Sequence, residues 1–580
     1  MGRVSRRRRL EGKRASRDPL SRGRRIPGAL VVVAAVAVLA GLETGPSGSA
    51  TRSETVSATA RESHRSAAPA SETVPPSRAF PSTSAEAGPS TGSALGILAL
   101  GPATGTTVEP AAGATPVGST CPGSARYCVM VDATDPAGPV THAASGFLLG
   151  TAHVSPTFLT TLAPTSWRVD VNPTASGYDF AAYDTARQAG AAVVVLVSNA
   201  WFGATSHCPA PSLTCGARPP WADLGAYSTW VRNYVRAIEA TGRRPDYWDV
   251  QNEPDGEWSP GSYFNVIDAA TVTTDRVMAQ FGAAYGAVKS VDPTAKLVGP
   301  SLSGFWTIPD AQHKSLDLTT FLDYSATHAL AWGAVAWHEN GAGQKPGESG
   351  PPPDQKIPQH VATAQAMLAA RPSLGSPVIA LTEYGQKSTY VIPGWMTGEI
   401  AAIESSGVAL AERTCWPSAS DPAAGDPCFH SPSTLDGLLL ADGRPTSAYW
   451  VRQAYSALSG PLIRMASSDV TFSGLAAIGG GDVVRILVGR HATCTSQVNP
   501  DCSAPASTTP PPADVTVQLR VPWSGATNLV VQQIPNVRGA VNGPTAVMAG
   551  TEQAVGGDVS VVLPHFSDGD SFSVVVRPSG

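Results

Sequence analysis

Tyr247-Trp248-Asp249-Val250-Gln251-Asn252-Glu253-Pro254 and Val378-Ile379-Ala380-Leu381-Thr382-Glu383-Tyr384-Gly385 read alike: an apolar run that turns polar at a glutamate. A short continuous apolar run of this kind is how a strand buried on both faces reads, as in a parallel sheet. Six further runs, at 146–152, 166–171, 192–198, 296–299, 334–337 and 408–412, repeat the pattern, so the two stretches are the fourth and seventh of eight. Helical patterns lie between them. Leu224, Tyr227, Val231, Tyr234, Val235 and Ile238 recur at three- and four-residue intervals and mark one apolar face. Further helices are expected at 179–189, 271–291, 318–328 and 361–370. Eight strands alternating with helices over about 300 residues predict an α/β fold, a (β/α)8 TIM barrel, assigned to 119–444. After Pro445 the apolar period shortens to two, at 470–477, 482–488, 515–521, 529–533, 559–563 and 571–577. That period predicts an antiparallel β-sandwich domain over 445–580.

The head of the chain is of another kind. Residues 1–25 hold eleven Lys and Arg against Glu11 and Asp18, a net charge of +9 that leaves −14 on the rest of a chain whose total is −5. A body of that sign repels nucleic acid, so the basic run is not read as a DNA-binding arm and no nucleic-acid partner is expected. The run leads into an apolar segment at 26–42, followed by small residues at 47–50, and 1–50 reads as an export signal. The apolar length lies between a usual signal core and the shortest membrane span. Two fates therefore stay open: cleavage and release, or an anchor that tethers the body outside the cell. From 51 to 118 Ala, Ser, Thr and Pro dominate. Such a stretch buries too little apolar surface to order itself and is expected to be a disordered linker.

An exterior compartment favours disulfides. The eight cysteines fall as four couples of near neighbours, Cys121 with Cys128, Cys208 with Cys215, Cys415 with Cys428 and Cys494 with Cys502, and local pairing is expected. None of these spacings resembles a zinc site and there is no His-Glu-x-x-His, so neither a metal nor an organic cofactor is expected. No P-loop is present, and no Gly-x-Ser-x-Gly elbow precedes a helix. Gly479-Gly480-Gly481 leads into a strand, as a turn does.

In a parallel barrel the carboxyl ends of the strands meet at one mouth, so Glu253 and Glu383 are expected to face each other across it. Glycoside hydrolysis needs such a pair, one carboxyl kept as a proton donor and one carboxylate that attacks the anomeric carbon. Asn252-Glu253-Pro254 after a fourth strand, with Thr382-Glu383-Tyr384-Gly385 after a seventh, resembles the signature of clan A retaining glycoside hydrolases. It most resembles glycoside hydrolase family 39, whose members join the barrel to a C-terminal β-sandwich, and the resemblance covers 145–580. The resemblance implies Glu253 as general acid and base and Glu383 as nucleophile. Retention calls for carboxyls about 5–5.5 Å apart, whereas about 6.5–9.5 Å means inversion.

The same resemblance assigns supporting parts. Asn252 is expected to bond the sugar hydroxyl next to the anomeric carbon, and Arg168 to pair with the nucleophile and keep it ionised; the other reading of Arg168 is a salt bridge to Asp170. His338 is expected against the nucleophile, His153 at the end of strand one, and Trp416 as the floor of the sugar site. Both histidines also read as ordinary loop residues. Trp201, Trp258, Trp306 and Trp337 lie near strand ends, where rings can stack on sugars or simply pack. Glu339, next to His338, is the main competitor for an acidic role. The chain thus reads as a secreted or surface-tethered retaining glycoside hydrolase acting on an oligo- or polysaccharide of plant or microbial origin, of xyloside or arabinoside type. The alternatives are an endo-acting glucanase or mannanase of another clan A family, or a glycan-binding protein without turnover.

Overall fold

The computed structural model describes residues 121, 124–149, 154–205, 218–257, 273–307, 316–340, 353–385, 389–415, 434–491 and 510–579. All eight apolar runs form strands: Gly146–Leu148, Ser166–Asp170, Ala192–Leu196, Tyr247–Asp249, Leu297–Leu302, Ala334–Glu339, Val378–Tyr384 and Leu410–Arg413. They pair in parallel in chain order, and the eighth closes on the first, Glu412 opposite Gly146 and Arg413 opposite Phe147. Alternate residues of these strands face opposite ways. One set, including Trp167, Val169, Val193, Val195, Val335, Trp337, Ile379 and Leu381, joins the large core shared with the helices. The other supplies a small separate cluster, Val194, Val298, Ala334, Ala336, Ala380 and Leu410. Apolar residues on both faces explain why each strand reads as one unbroken run.

The helices follow the strands. Leu224–Glu239 buries Tyr227, Val231, Tyr234, Val235 and Ile238, the face marked by the spacing, and Asp223 caps it by accepting from the Ala226 N–H. Ala181–Gln188, Thr274–Lys289 and Leu318–Thr327 lie inside their expected ranges, the last two capped by Thr273 and Asp317. The helix expected at 361–370 starts earlier, spanning Pro353–Ala369 with Pro358 inside it. Among the described residues, five helices carry no signal in the sequence reading: Pro156–Leu162, Val197–Thr205, the one-turn Pro254–Glu257, Pro393–Ser406 and Ser447–Ser456.

Nine strands make the second sheet, which the structure begins well before the expected boundary. In spatial order they are Thr545–Ala554, Gly525–Ile534, Ser571–Pro578, Val483–Arg490, Phe472–Gly479, Pro461–Ser467, Tyr127–Pro139, Ala513–Arg520 and Asp558–Phe566. All pairings are antiparallel except that of Tyr127–Pro139 with Ala513–Arg520. One face of the sheet encloses a single core drawn from every strand, with Val129, Ile486, Val517, Val531, Val561 and Val574 at its centre, so the sheet wraps on itself as a sandwich.

The boundaries drawn at 119 and 445 therefore need correcting. Tyr127–Pro139 belongs to the β-domain, because its alternating buried residues Val129, Val131 and Ala133 complete that core. Conversely, Ser447–Ser456 is the last helix of the barrel: Tyr449 packs edge-on against Phe158, and the Ser456 hydroxyl donates to the Thr161 carbonyl at 2.8 Å. The two domains meet along Pro393–Ser406. Its Gly394 N–H donates to the Gly569 carbonyl at 2.7 Å, and a Cβ at Gly394 would run into the Arg490 carbonyl.

Cys121 and Cys128 form the expected disulfide, and Cys415, at the end of barrel strand eight, is also disulfide-bonded. Cys208, Cys215, Cys428, Cys494 and Cys502 lie outside the described residues, as do His153, Trp258, Trp416 and the segments 1–50 and 51–118. Among the described residues, no helix is long and apolar enough to cross a membrane.

Candidate active site

At the carboxyl ends of the barrel strands the apolar interior gives way to charge. Arg168 from strand two, Asp249 from strand four, His338 from strand six, Glu383 from strand seven and Glu412 from strand eight are all buried. Glu383 reaches this layer because of an irregularity. Leu381 pairs with Trp337, but Glu383 pairs with His338, so Thr382 is the extra residue of a bulge in strand seven. Without the bulge Thr382 would stand opposite His338 and Glu383 would face the helices.

Arg168 organises the layer. Its Nε donates to Asp249 Oδ2 at 2.9 Å and its Nη1 to Glu383 Oε1 at 3.2 Å. Burial works against the guanidinium charge, but Asp249 and Glu383 outweigh it and hold Arg168 above its ordinary pKa. Burial raises the Asp249 carboxyl above its usual range, while Arg168 and the Ser301 hydroxyl, at 3.0 Å from either oxygen, pull it back. Glu412 is pushed up to about 8 by burial, which Ser166 and Arg168 only partly offset. Asp170, the other candidate partner, accepts instead from Asn199 Nδ2 at 3.1 Å.

Glu253 follows strand four in a left-handed backbone conformation, with φ of 35°, and its N–H donates to the Ser301 carbonyl at 2.9 Å. Strain of this kind in a non-glycine residue concentrates at functional sites. His338 Nδ1 donates to Glu253 Oε1 at 2.9 Å and lies 3.6 Å from Glu383 Oε2. Burial lowers the His338 pKa, with Glu383 opposing it, which favours the neutral imidazole. Asn340 Nδ2 adds a donor to Glu383 Oε2 at 3.4 Å. One oxygen of each carboxylate and one ring nitrogen of His338 all lie within 4.8 Å of one another. That spacing suits a bound cation as well as two-carboxylate chemistry, but Arg168 already brings a fixed positive charge to Glu383. The two carboxylates differ in setting: the Glu383 side chain is 4% exposed and ion-paired, whereas that of Glu253 is 19% exposed.

Of the expected site residues, the structure brings together Glu253, Glu383, Arg168 and His338, with Asn252 beside Glu253. It also brings in Asp249, Ser301 and Asn340, which the sequence reading missed. A signal for Asp249 was present: a carboxylate inside a strand buried on both faces needs a cation partner. Glu339 is drawn away from the pair, accepting from Trp337 Nε1 at 2.6 Å and His360 Nδ1 at 2.7 Å. Trp201 and Trp337 are core residues, Trp201 packing edge-on against Tyr227 and Trp230. Trp306 is half-buried and donates to Asp255 Oδ2 at 2.9 Å.

No family model matches the sequence, and no curated protein does. Solved structures share its fold. A structure of N2152 from Neocallimastix frontalis is 15% identical, with a TM-score of 0.57, over 78% of this chain and 100% of that one. A GH39 enzyme from Xanthomonas axonopodis pv. citri is 16% identical, with a TM-score of 0.55, over 79% and 98%. A monomeric beta-xylosidase from Caulobacter crescentus is 16% identical, with a TM-score of 0.54, over 78% and 100%. The share of this chain covered exceeds the barrel, so the likeness takes in the β-domain as well.

Proposed function

We propose that the chain is a retaining glycoside hydrolase, exported to the cell exterior, that cleaves a plant or microbial glycan by double displacement. The observation that carries this reading is the carboxylate pair: Glu253 and Glu383 oxygens within 4.8 Å, one carboxylate buried against Arg168 and the other partly open. Nearest oxygens this close suit direct attack by a carboxylate better than the wider spacing that inversion uses.

In the first step Glu383, ion-paired with Arg168, attacks the anomeric carbon while Glu253 gives its proton to the leaving oxygen. In the second step Glu253 takes a proton from water, which attacks the same carbon and releases Glu383. His338 holds Glu253 in place through Nδ1. Asn252 is assigned to the sugar hydroxyl next to the anomeric carbon, an interaction that strengthens as positive charge develops on the ring. The fold shared with the Caulobacter beta-xylosidase makes β-xylosides the first substrates to try.

The test is release of sugar by the purified chain from aryl β-xylosides, arabinosides and glucosides and from plant and bacterial polysaccharides. Release of one sugar class names the substrate. A folded protein that binds these glycans and releases nothing would be the binding protein instead.

A further inference from the structure

The outer face of the β-domain carries a feature that the carboxylate pair does not explain. In register across four neighbouring strands, Asp132 stands opposite Arg464 on one side and Arg520 on the other, and Arg520 stands opposite Asp558. Residues paired in this way share a face of the sheet. The four side chains thus form one row of alternating charge, on the face opposite the core to which Val131 and Leu519 belong. The row lines a hollow of about 320 Å³, a volume at the lower end of small-ligand sites.

A row that served only the sheet would close its pairs, since opposite charges directly across strands attract. This one does not. Arg464 Nε turns to Asp135 Oδ2 at 2.7 Å, and Asp132 Oδ1 accepts from the Thr134 N–H at 2.9 Å and from its hydroxyl at 2.5 Å. Among the described residues Arg520 and Asp558 form no ion pair, although each stands opposite a group of the other sign. One position along the strands, Met130 stands between Ala466 and Gln518 and adds apolar surface beside an amide.

Two guanidinium groups against two carboxylates leave no net charge, so the hollow favours neither a polyanion nor a polycation. It offers donors and acceptors in alternation at the spacing of strands, about 4.8 Å. Neighbouring hydroxyls of a sugar both donate and accept, and the C–H face of the ring suits the Met130 thioether. We propose that this hollow is a second glycan-binding site, which holds a stretch of uncharged polysaccharide on the β-domain, apart from the barrel mouth. The site goes beyond the hydrolase reading, and its test needs no turnover.

The experiment measures binding of neutral arabinoxylan, mixed-linkage β-glucan and glucomannan to the full chain carrying Glu383→Gln, by affinity electrophoresis and calorimetry. Adding Asp132→Ala and Arg520→Ala is expected to weaken binding of the polysaccharide that the parent holds by about 10-fold or more. With Glu383 intact, the same two changes leave kcat/KM on 4-nitrophenyl β-xyloside within about 2-fold. Arg520→Gln alone, a change at an exposed side chain, moves the affinity the same way and decides the matter if the double variant does not fold. Raising salt from about 0.05 to about 0.5 M changes the parent's affinity less than about 2-fold, as expected for a polymer without charge. Unchanged affinity in the variants would overturn the inference, and so would a parent that binds none of the three. Affinity lost at high salt would overturn it too, as the mark of a charged polymer. A parent that binds through the hollow but releases no sugar from any glycoside would overturn the hydrolase reading and leave this inference standing.

Discussion

Glu383→Gln is expected to lower turnover by on the order of 10⁴–10⁶-fold while leaving the fold and sugar binding in place. The amide has the shape of the carboxylate and can still accept from Arg168 Nη1, which lies 3.2 Å from Glu383 Oε1 in the parent. It is too weak a nucleophile to form the covalent glycosyl intermediate. Glu253 keeps its own surroundings, including His338 at 2.9 Å, so proton donation is intact in the variant. Glu383→Ala sharpens the argument, because it leaves a space beside Arg168 that a small anion can enter. Azide is expected to restore turnover of an activated aryl glycoside and to give a glycosyl azide of inverted configuration, since one displacement then replaces two. Residual activity above about one tenth in Glu383→Gln would remove Glu383 from the mechanism.

Arg168→Met is expected to cost about 3–5 kcal/mol of stability together with most of the activity, read by chemical denaturation and by kcat. The guanidinium is 1% exposed and bonds two carboxylates that are themselves buried, so its loss strands two negative charges. The pH dependence has a definite sign. Burial already holds the folded-state Asp249 pKa above its ordinary value with Arg168 present, and removing the cation raises it further. A carboxyl whose folded pKa is raised contributes no penalty below its unfolded value of about 4, and stability is lost as pH rises through the folded value. The gap between parent and variant should therefore be small near pH 4 and widen toward pH 8. Adding Asp249→Asn removes one stranded charge and should recover part of the loss. A penalty under about 1 kcal/mol that does not change with pH would mean that the layer is not organised by Arg168.

The barrel was legible because strands buried on both faces leave continuous apolar runs, and all eight did. The helix Leu224–Glu239 was legible for the opposite reason, since it buries one face and shows the other to solvent. Pro393–Ser406 has neither signature: it is buried nearly all round, between the barrel and the β-domain, and so lacks the alternation of faces that marks a helix. Tyr127–Pro139 escaped because its partners lie more than 300 residues away, at Pro461–Ser467 and Ala513–Arg520, and no local pattern names them. At the site, residue identity suggested Glu253, Glu383 and Arg168, but their geometry depends on features the sequence does not display. The bulge at Thr382 decides which strand-seven residue faces Arg168, and the turn of backbone at Glu253 decides where its carboxyl points. Asp249 in place of Asp170 as the partner of Arg168 is a choice made across strands, which periodicity along one strand does not resolve.

The stereochemistry of a single turnover tests the central claim most directly. Proton NMR of an aryl glycoside during its first minutes of hydrolysis distinguishes the two anomers of the released sugar before they equilibrate. With Glu253 and Glu383 oxygens within 4.8 Å, the sugar should appear first in the configuration of the substrate. First appearance of the opposite anomer would contradict the account, because inversion proceeds by direct attack of water and not through a covalent intermediate on Glu383.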